Sequence, residues 1–408
     1  MDVVSMRVQL AESAFTRAPI FDNILSQLSP AGLIRLGRCS RTTLGAVANF
    51  ANRAFNINKH LSRFFPDPVA FRSLQARTAT LISGSSALQF FDRTFYPESD
   101  LDLYTFSEHG EEIGRWLQKR GYAFIANSFQ DDDFGVALNQ PIRDGLDQGG
   151  EALKDLDLNH WQHYKIIGVN GIYCFEKVSQ GGTEPPLRVQ IITASSTPLE
   201  CVLNFHCTVV MNVIAYDAAY SFYPVSTFEE RRALTSGIIA RRQAIALGKY
   251  STRGWRIQAS LNPFEQRDGP PPFYLNTVRW VGDRQTWTMA LDTTGIELPS
   301  PISVSSESFT WDPVAHNSWI LTSNPSDRTC GTSYHIAKST VLRYRYLVAE
   351  QPLLEQLIEF FITQGTLEFL KVPAHERIPS EGWRQRCTWW DAEIPRFCAL
   401  YRASIENS

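Results

Sequence analysis

Between residues 19 and 56, apolar positions recur at helical spacing in three groups: Ile24, Leu25 and Leu28; Leu33 and Leu36; then Leu44, Val47 and Phe50. A stripe of that period marks helices with one buried face, and the Ser29-Pro30 step between the first two groups is a break. Pro66 and Pro68 mark a junction, after which the pattern changes. Leu81-Ile82 is a brief strand entering a glycine turn, Ala87 to Phe91 a helix, Asp100 to Phe106 a strand, and Glu111 to Arg120 a helix stopped by Gly121. Residues 122 to 126 and 133 to 138 are expected as strands, Tyr164 to Val169 and Gly171 to Val178 as a hairpin around Asn170-Gly171, and Leu187 to Thr193 as another strand. Leu199 to Ala215, Phe228 to Tyr250 and Leu353 to Phe361 carry helical patterns, and the polar stretch Asn139 to Asp157 is an excursion.

Strands bracketing helices in this way predict an α+β protein with a mixed sheet. At 408 residues the chain exceeds a single core, which rarely grows past about 250 to 300 residues. The expected division is a short helical N-terminal module at residues 1–64, a mixed-sheet core at 65–260, and a C-terminal region at 261–408 that holds Trp280, Trp287, Trp311 and Trp319. A hydrophobic share of 43% against 20% charged residues excludes a disordered chain.

Seven cysteines without a CxxC form neither a disulfide framework nor a zinc signature. With no signal-peptide pattern and no run of about 18 apolar residues, the expectation is an intracellular protein away from membranes. A net charge of -3 provides no global attraction to nucleic acid, so that partner is left open. Locally, Arg231, Arg232, Arg241, Arg242, Lys249, Arg253 and Arg256 face only Glu229 and Glu230, which is either a phosphate-facing patch or the solvated face of a helix.

Two short segments carry candidate chemistry. Gly84-Ser85-Ser86 lets a backbone approach an anion closely and opens a helix whose free amides face it, although a helix cap has the same composition. Asp100 and Asp102, two apart on a strand, share one face while Leu101 and Leu103 take the other. Paired carboxylates repel unless a cation or solvent separates them; hard oxygens in that arrangement suit Mg²⁺, and a strand end with exposed acids has the same pattern. Lys249, Tyr250 and Arg253 stand at a helix end either as phosphate contacts, with Lys249 the point charge, or as an ordinary surface helix terminus. His206 falls in an apolar helical pattern as a core residue, and His160 and His163 lie near Asp155 and Asp157 without a clear further metal ligand.

A Gly-Ser turn, a helix and an Asp-x-Asp strand together resemble the polymerase-β-like nucleotidyltransferase superfamily. The resemblance implies a nucleoside triphosphate as substrate, Mg²⁺ held by Asp100 and Asp102, and transfer of a nucleotidyl group. It also implies a third carboxylate on a neighbouring strand; the matching strand is Arg188-Val189-Gln190-Ile191-Ile192, and the acid's place falls on Gln190. Glutamine carries no charge and cannot act as a base, so the pattern is equally that of a pseudoenzyme. Fourteen residues stand between Ser85 and Asp100, more than in compact members, and Glu176, Asp155 and Asp157 are alternative acids. Ser83 to Phe91, Ser99 to Tyr104, Val189 to Ile192, Asn204 to Asn212, Tyr223 to Phe228 and Lys249 to Trp255 look like a largely uncharacterised group of fungal proteins, across roughly residues 19 to 350.

Pro19 to Leu25, then Leu28, Pro30, Leu33, Leu36 and Arg38-Cys39-Ser40-Arg41, resemble a short F-box. That resemblance implies a Skp1-like partner and an adaptor role in a cullin ubiquitin ligase; a helical cap packed on the next domain has the same apolar spacing.

Overall fold

The computed structural model describes residues 13–140, 167–178, 185–237, 241–262, 264–266, 271–298, 312, 314–324, 329–373 and 388–406. The three N-terminal apolar groups form α1 (Ala18–Ser26), α2 (Pro30–Gly37) and α3 (Arg41–Ala54). Ser29 starts α2 by accepting from the Gly32 N–H at 3.2 Å, and Ser40 with Thr43 forms a capping box at the head of α3. Phe21, Leu25, Leu33 and Phe50 face inward and join one hydrophobic cluster with Leu88, Leu103 and Ile191. These helices therefore share a core with the sheet rather than forming one of their own.

After α4 (Ile57–Leu61) and α5 (Pro68–Thr78), the chain enters an eight-stranded mixed sheet. Its strands are β1 (Leu81–Ser83), β2 (Leu101–Phe106), β3 (Ala123–Ile125), β4 (Val169–Lys177), β5 (Leu187–Ala194), β6 (Asn212–Ile214), β7 (Ala218–Ser221) and, beyond β8 (Arg232–Leu234), β9 (Arg256–Gln258) and β10 (Val278–Trp280), the edge strand β11 (Trp287–Ala290). Their order is β11-β7-β6-β1-β2-β5-β4-β3. β2 and β5 run parallel; the other neighbours in this sheet are antiparallel. The core sheet thus takes its edge strand from beyond residue 260.

Alternation on β2 and β5 sends Leu101, Leu103, Val189 and Ile191 into the cluster that holds α1 to α3, and Tyr104 and Ile192 into a second cluster with Met211, Val213 and Trp319. The sheet is covered on both faces. Near its centre, α6 (Gly84–Asp92) follows β1 directly, and α7 (Gly110–Lys119) ends at Gly121 with φ +85°.

Four local expectations are corrected. Residues 133 to 138 are not a strand: Asp133 caps α8 (Phe134–Asn139), accepting from the Val136 N–H at 3.0 Å. Asn170-Gly171 is not a hairpin turn; it lies inside β4, where the register shifts by a bulge, and Tyr164 lies outside the described residues. The helix expected over Leu199 to Ala215 stops after α9 (Pro198–Leu203), because the β-branched run beyond it supplies β6 instead. Phe228 to Tyr250 is likewise broken. Arg231 and Gly237 take positive φ, β8 pairs with β9, Arg232 lying opposite Arg256, and the helix is only α10 (Arg241–Thr252). In the opposite direction, the apolar helix at Leu353 runs further than its pattern, as α11 (Gln351–Lys371).

Candidate functional site

The glycine turn and the carboxylate strand meet. β1 and β2 pair so that Ser83 lies opposite Asp102, which brings Gly84 onto the Asp102 side chain. Gly84 has φ +66°, and a Cβ there would stand 2.5 Å from Asp102 Oδ2, so the position demands glycine both for its backbone and for the space. Ser85 ties the turn to the strand entry by donating from its hydroxyl to Ser99 Oγ at 3.2 Å, while Ser86 Oγ lies 3.0 Å from His60 Nε2. Both hydroxyls are engaged within the fold; Gly84 and Ser86 are buried and Ser85 is half-buried.

Across the sheet, Asp102, Gln190 and Cys174 form one in-register row, with Asp102 opposite Gln190 on β5 and Gln190 opposite Cys174 on β4. One step along on the same face, Arg188 donates through Nε and Nη2 to Glu176 Oε1 at 3.0 and 2.6 Å. Gln190 turns its amide toward the acids, donating from Nε2 to Asp100 Oδ2 at 3.3 Å. Gln190 thus lies beside the two acids on the neighbouring strand, as a neutral donor. Glu176 is the additional carboxylate brought nearby, although Arg188 already neutralises it; Asp155 and Asp157 lie outside the described residues, as do His160 and His163.

Charge in this row is poorly compensated. Burial, then repulsion from Asp100, pushes the Asp102 carboxyl up to about 8, with Lys249 pulling weakly the other way. Asp100 is raised by burial as well, and Arg188, Lys249 and Arg63 oppose the rise while Glu176 adds to it. Burial lifts the Cys174 thiol to about 11, which removes it as a nucleophile at neutral pH. No donor among the described residues bonds to the Asp102 carboxylate.

Lys249 is exposed on α10 and its charge reaches Asp100 and Asp102. Its neighbours are committed elsewhere. Tyr250 is buried, and Arg253 lies 3.6 Å from the Tyr96 ring centre and pairs with Glu98. His206 packs against Tyr250 at 6.2 Å between ring centres, and burial lowers it to about 4, so it is a neutral core residue. The basic run of the sequence also dissolves: Arg231 pairs with Asp92 at 2.8 Å, and Arg232 with Glu230 and Glu265 at 2.8 and 2.7 Å. Charges adjacent in sequence are spent on different partners.

Two carboxylates facing a glycine turn fit Mg²⁺ in the manner that ion prefers, with one or two protein oxygens and the remainder from phosphate and water. Among the described residues no group of three or more His, Cys, Asp or Glu side chains forms a complete cage. Sequence reasoning missed Arg188, Cys174 and the contact of Ser86 with His60, since each depends on strand register or on the docking of α4. No described helix is long and apolar enough to cross a membrane. Neither the family models, the curated proteins nor the solved structures give a match to this chain, so the chemistry rests on this geometry.

Proposed function

We propose that this chain has a nucleotidyltransferase-like core that binds a nucleoside triphosphate together with a divalent cation, with Asp100 and Asp102 holding the cation, the Gly84-Ser85-Ser86 turn meeting the phosphates and Lys249 supplying a positive charge. The supporting observation is the contact of Gly84 with Asp102: a site for a phosphate-bound cation needs backbone and carboxylates this close, and a helix cap does not. Gln190 weakens the transfer chemistry that the superfamily pattern implies, because a neutral amide neither offsets a second cation nor accepts a proton. Binding is the activity retained in this reading, with nucleotidyl transfer slow or lost.

The test is a thermal-shift and calorimetric screen of the four common nucleoside triphosphates with Mg²⁺ or Mn²⁺, on the wild type and on Asp100→Ala/Asp102→Ala. Stabilisation that requires both the metal and the two acids supports the site, since a ligand stabilises only by binding the folded state. Unchanged affinity in the double variant sinks it.

The second reading, an adaptor that docks a Skp1-like protein, draws support from Ile20, Ile24, Ile34 and Leu44, which remain exposed on α1 to α3. Removing these helices would open the shared core, so surface changes are the fair probe. Ile34→Asp with Leu44→Asp should abolish capture of the purified Skp1-like protein; capture equal to that of the wild type excludes docking on this face.

A further inference from the structure

A cleft of about 370 Å³ lies between α3, α4 and α6, with Ser86 and Asp100 in its wall. It carries Arg53, Lys59, Arg63 and Arg93 against Asp100 alone. Arg53 is neutralised by Asp22 at 2.6 Å. The other three keep their charge. Arg63 donates to the Tyr96 and Pro97 carbonyls, Arg93 to those of Leu25 and Leu28, and the exposed Lys59 ammonium has no partner among the described residues. Besides Asp100, whose field reaches Arg63, the acids that act on these arginines are already held: Asp92 by Arg231 and Glu98 by Arg253. A guanidinium bonded only to carbonyls retains its full positive charge and attracts an anion.

The same cleft has an aromatic side. Phe95 is 67% exposed, and the Arg63 guanidinium lies 5.1 Å from its ring centre and 5.0 Å from that of Phe64. An exposed ring braced by a cation is a stacking platform.

We infer that this cleft is a second ligand site, built by the N-terminal helices, for a phosphomonoester carried on a flat ring: the phosphate meets Lys59 and Arg63, and the ring lies on Phe95. It shares Ser86 and Asp100 in its wall with the proposed triphosphate site but includes neither Gly84 nor Asp102, so Asp102 is the residue that tells the two apart.

Phenyl phosphate and inorganic phosphate, titrated calorimetrically into the full chain, test it. Lys59 and Phe95 are both exposed, so their replacement leaves the core intact. Lys59→Glu should weaken phenyl phosphate by at least about tenfold, the worth of a hydrogen bond to a charged group. Phe95→Ala should weaken phenyl phosphate by about tenfold while leaving inorganic phosphate unchanged, as lost stacking requires. Asp102→Asn should leave phenyl phosphate binding unaltered, which separates this site from the triphosphate reading. An absence of phenyl phosphate binding at millimolar concentration, or equal affinity in the wild type and Lys59→Glu, overturns the inference.

Discussion

Asp283, in the turn after β10, and Asp102, on β2, are both carboxylates drawn into the protein, and the fold treats them oppositely. Asp283 accepts from Arg279 Nε at 2.6 Å, from the Gln285 and Thr286 N–H groups at 3.0 and 2.8 Å, and from Thr286 Oγ1 at 3.0 Å. Burial works against its ionisation, yet the Arg279 hydrogen bond and charge, with the backbone donors, hold it below the ordinary carboxylate range. Asp102 has no such donors, and burial with Asp100 beside it carries it up to about 8. Donors decide the difference, because a low-dielectric setting penalises charge in both places. A carboxylate that the scaffold satisfies is part of the scaffold. One left unsatisfied beside a like charge is strained, and a ligand that brings positive charge would relieve it.

Breaking the satisfied member should cost most. Arg279 is 1% exposed at its side chain, and apart from Asp283 its hydrogen bonds go to the Phe222 carbonyl and Thr286. Asp283→Ala strands that cation, and chemical denaturation should register a loss of about 3–5 kcal/mol. A loss under about 1 kcal/mol, the value of an exposed pair, would erase the contrast.

Removing the unsatisfied member should do the reverse. An acid whose folded pKa is raised destabilises the protein as pH climbs from the unfolded value near 4 through the folded value near 8, since the folded state then holds the extra proton. Asp102→Asn should therefore match the wild type near pH 4 and exceed it by on the order of 1–3 kcal/mol at pH 9, allowing for residual solvent at the site. Denaturation profiles that stay parallel across that range would mean Asp102 is not strained. The same titration links to ligand binding: a cation at ionised Asp102 displaces its proton, so triphosphate binding with Mg²⁺ at pH 7 should release up to about one proton. Calorimetry in buffers of different ionisation enthalpy reads that number directly; zero release would place the cation elsewhere.

The unsatisfied region was legible in the sequence because its signals are local. Two acids at a spacing of two share a strand face by geometry alone, and the glycine turn lies in the same short stretch. What surrounds them was not. Arg188, Cys174 and Glu176 come into place through the pairing of β4 with β5, and a one-residue slip would have turned each to the other face. The helix expected over Phe228 to Tyr250 failed for a related reason: Ala233 and Leu234 found a strand partner in Ile257 and Gln258, which no local window shows. The N-terminal stripes gave helices correctly. Which residues they bury was half visible, with Leu25, Leu33 and Phe50 inside and Ile24 and Leu44 left out.

Gln190 offers the smallest and most informative change. Its amide gives Asp100 the single side-chain donor it has among the described residues, at a long 3.3 Å. Gln190→Glu removes that donor and places a further carboxylate beside the ionised Asp100, so the metal-free protein should lose about 1 kcal/mol of stability at neutral pH. A divalent cation reverses the sign, because three carboxylates now face it; Mn²⁺ affinity should rise by about tenfold, equivalent to 1.4 kcal/mol, and transfer activity, if it is restored, should be seen in this variant before any other. Loss of stability without a gain in metal affinity would mean that Gln190 serves only to hold Asp100 in place, and that the row on β2, β5 and β4 does not gather around a cation.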